Sequence, residues 1–241
     1  MPIFDGIEKA KGRLKRPILT IGNFDGVHKG HLALFEIVKG KARDLKCDSA
    51  VLTFDPHPLK VLAPEKAPEL LLTRDEKVEL ILRAGIDAVI CQEFDREFAK
   101  MGAREFVQKI LVETLRISEI VVGYDYGFGR NREGTIDLLK ELGSKSGFNV
   151  YVLQPVNMNG KLVSSTAIRN FLKEGDVTSA SLLLGRPYSL SGRVIKGKGR
   201  GKSILEIPTA NLEVSDKLIP KKEIPTANLE VSDKLIPKKG V

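Results

Sequence analysis

No apolar run in the 241 residues approaches the roughly 20 needed to cross a bilayer. The start of the chain, Met1-Pro2-Ile3-Phe4-Asp5-Gly6, lacks the charged-then-apolar layout of a secretory signal, so a cytoplasmic location is expected and a membrane is not an expected partner. Cysteine is scarce. Cys47 and Cys91 each border a β-forming stretch, where a buried small apolar residue is the plainer reading and a bridge is not expected. The three histidines, His28, His31 and His57, are the only grouping with any likeness to a metal site, and no direct metal ligand is expected in the first part of the chain. Aromatic residues are missing where a nucleic-acid reading needs them. From Arg186 onward 12 Lys and Arg face 6 Asp and Glu, most of the net charge of +8, yet Tyr188 is the one aromatic residue there. Nucleic acid is therefore not an expected partner, and phosphorylated small molecules or plain solvation suit the surplus better. With 29% charged and 42% hydrophobic residues, the chain has the profile of an ordinary globular protein with a core to bury.

What is present centres on Thr20-Ile-Gly-Asn-Phe-Asp-Gly-Val-His-Lys-Gly-His31. Apolar Pro17 to Ile21 predicts a strand, the glycines a tight turn, and Leu32 to Leu45 an amphipathic helix. A helix N-terminus offers free N–H groups and a positive dipole end. Gly22, Gly26 and Gly30 let an anion approach the backbone, and His28 and His31, three residues apart, share a helix face. The pattern predicts a nucleotide-phosphate site in which the two histidines stabilise charge during transfer. The bland alternative is a histidine pair satisfied by local hydrogen bonds. Asp25 suits either a metal tether or a helix cap.

Further on, strands are predicted at Ser49 to Phe54, Ala88 to Cys91, Ile117 to Val122 and Val150 to Leu153. Helices are predicted at Glu76 to Ala84, behind the capping box Thr73-Arg-Asp-Glu76, at Ala103 to Leu115 and at Thr135 to Leu142. Asp55-Pro56-His57-Pro58 reads as an extended exit that forbids helix. Five alternating βα units predict an α/β fold, a parallel sheet with helices on both faces. Ligands then gather beyond the carboxyl ends of the strands, where three of the marked loops fall. Asn159-Gly160 predicts a short hairpin, and Ser164 to Arg169 and Ala180 to Leu184 two more helices. Tyr188 to Ile195 alternates as a strand and no helical period resumes, which places a domain boundary near Gly185.

Two more groups carry chemistry. Ser164, Ser165, Thr166 and Arg169 form a polar clamp for a triphosphate and the departing pyrophosphate, or simply a helix cap with an exposed arginine. Phe54, Pro56, His57 and Pro58, with Asp125, Tyr126 and Phe128, offer an aromatic and proline-lined slot for a flat ring, or else are structural turns.

Taken in order, Gly22 to His31, Phe54 to Pro58, Gly123 to Gly129, Ser164 to Arg169, Leu184-Gly-Arg-Pro-Tyr188 and Pro-Thr-Ala-Asn resemble the bacterial bifunctional riboflavin kinase/FAD synthetase. The resemblance implies a Rossmann-like nucleotidylyltransferase domain over 1–185 that joins FMN to the AMP part of ATP, giving FAD and pyrophosphate with Mg²⁺ bridging phosphates. In it His28, His31 and Arg169 would be catalytic. Gly22, Asn23, Phe24, Asp25, Gly30, Ser164, Ser165 and Thr166 would bind ATP, and the ring-slot residues the flavin. It also implies a β-barrel over 186–241 that phosphorylates riboflavin, with Thr209, Asn211, Thr226 and Asn228 near Mg-nucleotide.

Two departures stand out. Leu205-Glu206-Ile207 replaces the usual Gly-Phe before Pro208, and Val241 falls where such a barrel has only begun, so an incomplete barrel without useful kinase activity is expected. Glu206 to Lys222 also recurs unchanged as Glu223 to Lys239, 17 residues twice, too few copies for a solenoid. One copy at most fits a given strand position, so the other is expected to pack loosely. The rivals are a nucleotidylyltransferase for another phosphorylated acceptor, and a flavin- or nucleotide-binding module without catalysis.

Overall fold

A computed structural model describes residues 1–195, 211–214 and 217–221. Six parallel strands form one sheet: β1 (Ile3–Asp5), β2 (Ile18–Ile21), β3 (Ser49–Asp55), β4 (Ala88–Glu93), β5 (Glu119–Gly123) and β6 (Asn149–Leu153). Their order is β1-β4-β3-β2-β5-β6. The helices are α1 (Ile7–Ala10), α2 (Lys29–Leu45), α3 (Pro58–Leu62), α4 (Arg74–Arg83), α5 (Ala103–Glu105), α6 (Ile136–Ser146), α7 (Ser165–Glu174) and α8 (Val177–Leu184).

Side chains alternate between two apolar layers, as the pleat requires. Ile18, Val51 and Val89 meet Phe35 and Val38 of α2 and Val78 and Ile81 of α4. Leu19, Leu52, Ile90 and Ile120 meet α1, Phe106, Leu111 and Leu139 on the other face. Both faces being covered, the inner strands read as continuous apolar runs. From β2 the chain adds strands in one direction to β4, then returns to β2's other side for β5 and β6. The reversal opens a crevice beyond the carboxyl ends of β2 and β5.

The predicted elements are found with shifted ends, and four readings need correction. The edge strand β1 is a sixth, unforeseen strand. Pro58 does not forbid helix: it occupies the first position of α3, where no N–H is needed, and His57 caps that helix through Nδ1. The predicted helix Ala103 to Leu115 widens after α5, over Phe106–Thr114, into turns closed by i→i+5 bonds such as Leu115 N–H to Ile110 C=O. Cys91 is buried in β4, but Cys47 is only half-buried; both are free thiols. The Asn159-Gly160 hairpin is present, both residues at positive φ, between β7 (Asn157–Met158) and β8 (Lys161–Leu162).

Beyond residue 185, β9 (Arg193–Ile195) pairs antiparallel with β10 (Asn211–Glu213). Among the described residues this pair is all that stands for the expected barrel. Asn211 lies in β10, whereas Thr209, Thr226, Asn228 and the second copy of the 17-residue segment lie outside the described residues.

Candidate active site

The turn between β2 and α2 is held in a conformation its residues resist. Phe24, Gly26 and Val27 have φ of 49°, 93° and 39°, and a β-branched residue such as Val27 rarely accepts a positive φ. Gly26 is required there twice over, because a Cβ would also stand 2.8 Å from Leu71 Cδ1. The surroundings supply the restraint. Arg186 donates to the Gly26 and Val27 carbonyls at 2.7 and 3.0 Å. Buried Asp25 accepts the backbone N–H groups of Leu71 and Leu72, each at 3.0 Å, and pairs with the Arg169 guanidinium. Ser165 Oγ donates to the Asp25 carbonyl at 2.7 Å.

The turn delivers His28 and His31 to the start of α2 as a reciprocal cap. His28 Nδ1 accepts the His31 N–H at 3.3 Å, and His31 Nδ1 accepts the His28 N–H at 3.4 Å. The rings stack with centroids 3.5 Å apart. Gly30 makes room for them, since a Cβ there would lie 3.1 Å from His28 Cε1. Burial pulls the His28 pKa down to about 4, with Arg186 and Arg169 adding to the effect, and burial and His28 hold His31 well below its usual range. Both imidazoles are therefore neutral near pH 7. Because each Nδ1 accepts, the proton of each sits on Nε2. Two parallel Nε2–H donors, neither engaged by another described residue, thus sit at a helix N-terminus.

Next to His31 lies a cavity of about 480 Å³ beyond β2 and β5, walled by Gly22, Asn23, Phe24, Phe54, His57, Pro58, Asp125, Tyr126 and Phe128. A chain of rings continues it, Phe54 meeting Phe94 and Phe98 at 5.6 and 5.9 Å and Tyr126 stacking on Phe128 at 5.6 Å. Burial pushes the Tyr126 hydroxyl pKa up and that of His57 down. The Asn23 amide lies 3.2 Å from His57 Nε2. Of the three residues predicted to be catalytic, His31 lines this cavity while His28, stacked on it, and Arg169 do not. An apolar, aromatic slot with a neutral imidazole in its wall suits a flat ring that carries a phosphate.

Most of the sequence-predicted residues therefore converge, with exceptions. Pro56 lies on a separate polar cleft with Asp5, Arg74, Cys91 and Glu93. Ser164 caps α7 through the Ala167 N–H, Ser165 braces Asp25, and Thr166 is exposed. Asp25 is occupied by Arg169 and two backbone amides, the work of a brace. Phe24 packs against Phe35 and His31 as well as walling the cavity. Sequence reasoning missed Phe94 and Phe98, whose four-residue spacing after β4 was the available signal. It also missed Lys77, buried and donating to the Phe54 carbonyl at 2.9 Å, and the bracing role of Arg186, visible beforehand only as part of a motif.

The family model for FAD synthetase matches residues 11–167, and that for riboflavin kinase matches 184–224. A "Bifunctional riboflavin kinase/FMN adenylyltransferase" of Buchnera aphidicola (subsp. Acyrthosiphon pisum) is 39% identical over 91% of this chain and 70% of its own length. The protein so named in Escherichia coli K12 is 40% identical over 85% of this chain and 65% of its own. The chain thus spans about two thirds of the length of these relatives. A solved Streptococcus pneumoniae structure, described as a macrolide-efflux protein, superposes with a TM-score of 0.79 at 30% identity, covering 91% of this chain and 71% of that one. No helix among the described residues is long and apolar enough to cross a membrane. With a family model matched over most of its length, the chain belongs to the FAD synthetase family.

Proposed function

We propose that this chain is an FMN adenylyltransferase, which transfers AMP from ATP to FMN. One observation carries the reading: the neutral His31, capping a helix N-terminus and stacked on neutral His28, lines an aromatic cavity of about 480 Å³. The isoalloxazine ring lies in that cavity and its phosphate points toward the histidines. An oxygen of the FMN phosphate forms the new bond to the α-phosphorus of ATP, the α–β bridging bond breaks, and pyrophosphate leaves. The protein supplies position and hydrogen bonds for oxygens that gain charge, and little covalent chemistry. His28 and His31 donate to the α-phosphate region, Asn23 and the Gly22 and Gly30 backbone line it, and Arg169 stands behind Asp25 on the leaving-group side.

Mg²⁺ would enter as a cation carried on the triphosphate. Bound there, it would neutralise phosphate charge while keeping several waters. The division at residue 185 and negligible phosphorylation of riboflavin by this chain are part of the same proposal, as is a cytoplasmic location. Incubating the chain with ATP, Mg²⁺ and FMN, and separately with ATP, Mg²⁺ and riboflavin, tests both. The expected result is FAD and pyrophosphate from the first mixture and negligible FMN from the second. Binding of FMN without pyrophosphate release would refute the catalytic reading.

A further inference from the structure

The stretch Lys217–Lys221, 130 residues and more beyond α4 in sequence, is seated behind the loop that holds Asp25. The Lys217 side chain is 0% exposed. Its Nζ donates to Glu76 Oε1 and Oε2 at 2.9 and 2.8 Å and to the Ser189 carbonyl at 2.9 Å. Glu76 also accepts the Thr73 N–H at 2.9 Å and the Ser191 hydroxyl at 2.8 Å. Leu218 follows. Its N–H donates to the Leu70 carbonyl at 2.7 Å, its carbonyl accepts the Tyr188 hydroxyl at 2.8 Å, and its side chain packs in the cluster of Leu71, Ile168 and Leu172. Leu70 to Thr73 is thus gripped from one side by the C-terminal stretch. From the other side, Leu71 and Leu72 donate to Asp25, which holds Arg169.

We propose that Lys217 is a positioning residue for adenylyl transfer: through Glu76 and the Leu70–Thr73 loop it fixes Asp25, and through Asp25 the Arg169 guanidinium and the His28–His31 turn. The inference rests on the adenylyltransferase reading above. Lys217 is not among the residues that line the cavity and acts through this relay. The relay persists at neutral pH. Burial alone would raise the Glu76 pKa, but Lys217, Thr73 and Ser191 outweigh it and keep the carboxyl below its usual value, hence ionised.

Lys234 repeats Lys217 in the identical second copy, so the test substitutes both in the full chain. In Lys217→Met/Lys234→Met, kcat for FAD formation is expected to fall about tenfold while the KM for FMN stays within about twofold, because misplacement of the charged groups leaves the ring slot intact. Amide exchange at Leu71 and Leu72 should quicken about tenfold while Leu52 and Ile90 in the sheet keep their protection. Tyr188→Phe, a milder change that keeps the ring and loses the bond to Leu218, should quicken Leu71 and Leu72 about threefold, and it decides the matter if the double variant does not fold. Ile219→Ser/Ile236→Ser, at a position 56% exposed, should change neither reading. An unchanged kcat, unchanged exchange at Leu71 and Leu72, or equal loss of protection at Leu52 and Ile90 overturns the proposal. If the parent chain forms no FAD, the adenylyltransferase reading fails, and the exchange comparison still tests whether Lys217 fixes the Asp25 loop.

Discussion

Acid is expected to loosen this protein through the histidine pair well before its carboxylates protonate. His28 is 6% exposed, and burial takes its pKa from 6.5 to about 4. A depressed histidine pKa means that, between these two values, the unfolded chain binds a proton that the native chain does not. Stability therefore rises with pH across this window, is fully present above 6.5, and is lost as pH falls toward 4. At pH 5 the loss spans about 1.5 pH units at about 1.36 kcal/mol each, or about 2 kcal/mol from His28 alone. Equilibrium urea unfolding at pH 7.5 and pH 5.0 measures it, with His28→Asn as the comparison. Asn still caps a helix but does not titrate. The parent should lose about 2 kcal/mol more than the variant between the two pH values. Equal losses in the two proteins would refute the claim that His28 is held neutral by burial.

The other predictions concern the parts around that pair. His31→Ala should lower kcat for FAD formation by about 10²–10³ while FMN binding is largely kept, as for the loss of one donor to developing charge, and near-normal turnover would remove His31 from the proposed role. Asp25→Ala strands the Arg169 guanidinium and the Leu71 and Leu72 amides in a buried site, and should cost about 3–5 kcal/mol in urea unfolding at pH 7.5. Phe98→Ala, on the ring wall away from the histidines, should raise the KM for FMN about tenfold and leave that for ATP within about twofold, as steady-state kinetics with each substrate varied would show.

Much of this arrangement was legible because it is local in sequence. A strand, a glycine turn and a helix within Pro17 to Leu45 place His28 and His31 by themselves, and alternation of strand and helix puts their turn at the same sheet edge as Phe54 and Tyr126. What escaped was short or distant. Three residues, Ile3–Asp5, show no period, and only pairing with β4 makes them a strand. The effect of Pro58 depends on whether its position needs an N–H, which the sequence around it does not say. Asp25 meets Arg169 across 144 positions and Glu76 meets Lys217 across 141, and no spacing rule spans such gaps. Ser164, Ser165, Thr166 and Arg169 share the start of α7, but Ser164 caps that helix and contacts beyond the segment commit Ser165 and Arg169 to bracing Asp25.

Those long-range contacts bear on how the chain divides. A boundary near Gly185 follows from a change of pattern, since helical periods end there. Pattern, however, records which local structures form, while the site depends on what restrains a turn whose Val27 sits at φ 39°. The restraints come from both sides of residue 185. Ser165 and Arg169 act on Asp25, Arg186 on the Gly26 and Val27 carbonyls, and Lys217 on Glu76. An unfavourable backbone persists only where its surroundings over-determine it. A cut at 185 would leave every predicted ATP- and flavin-contacting residue in place and remove the guanidinium that holds the two strained carbonyls. The functional unit around the histidines therefore extends past the pattern boundary, at least to Arg186 and, on the Lys217 proposal, to the first copy of the repeated segment.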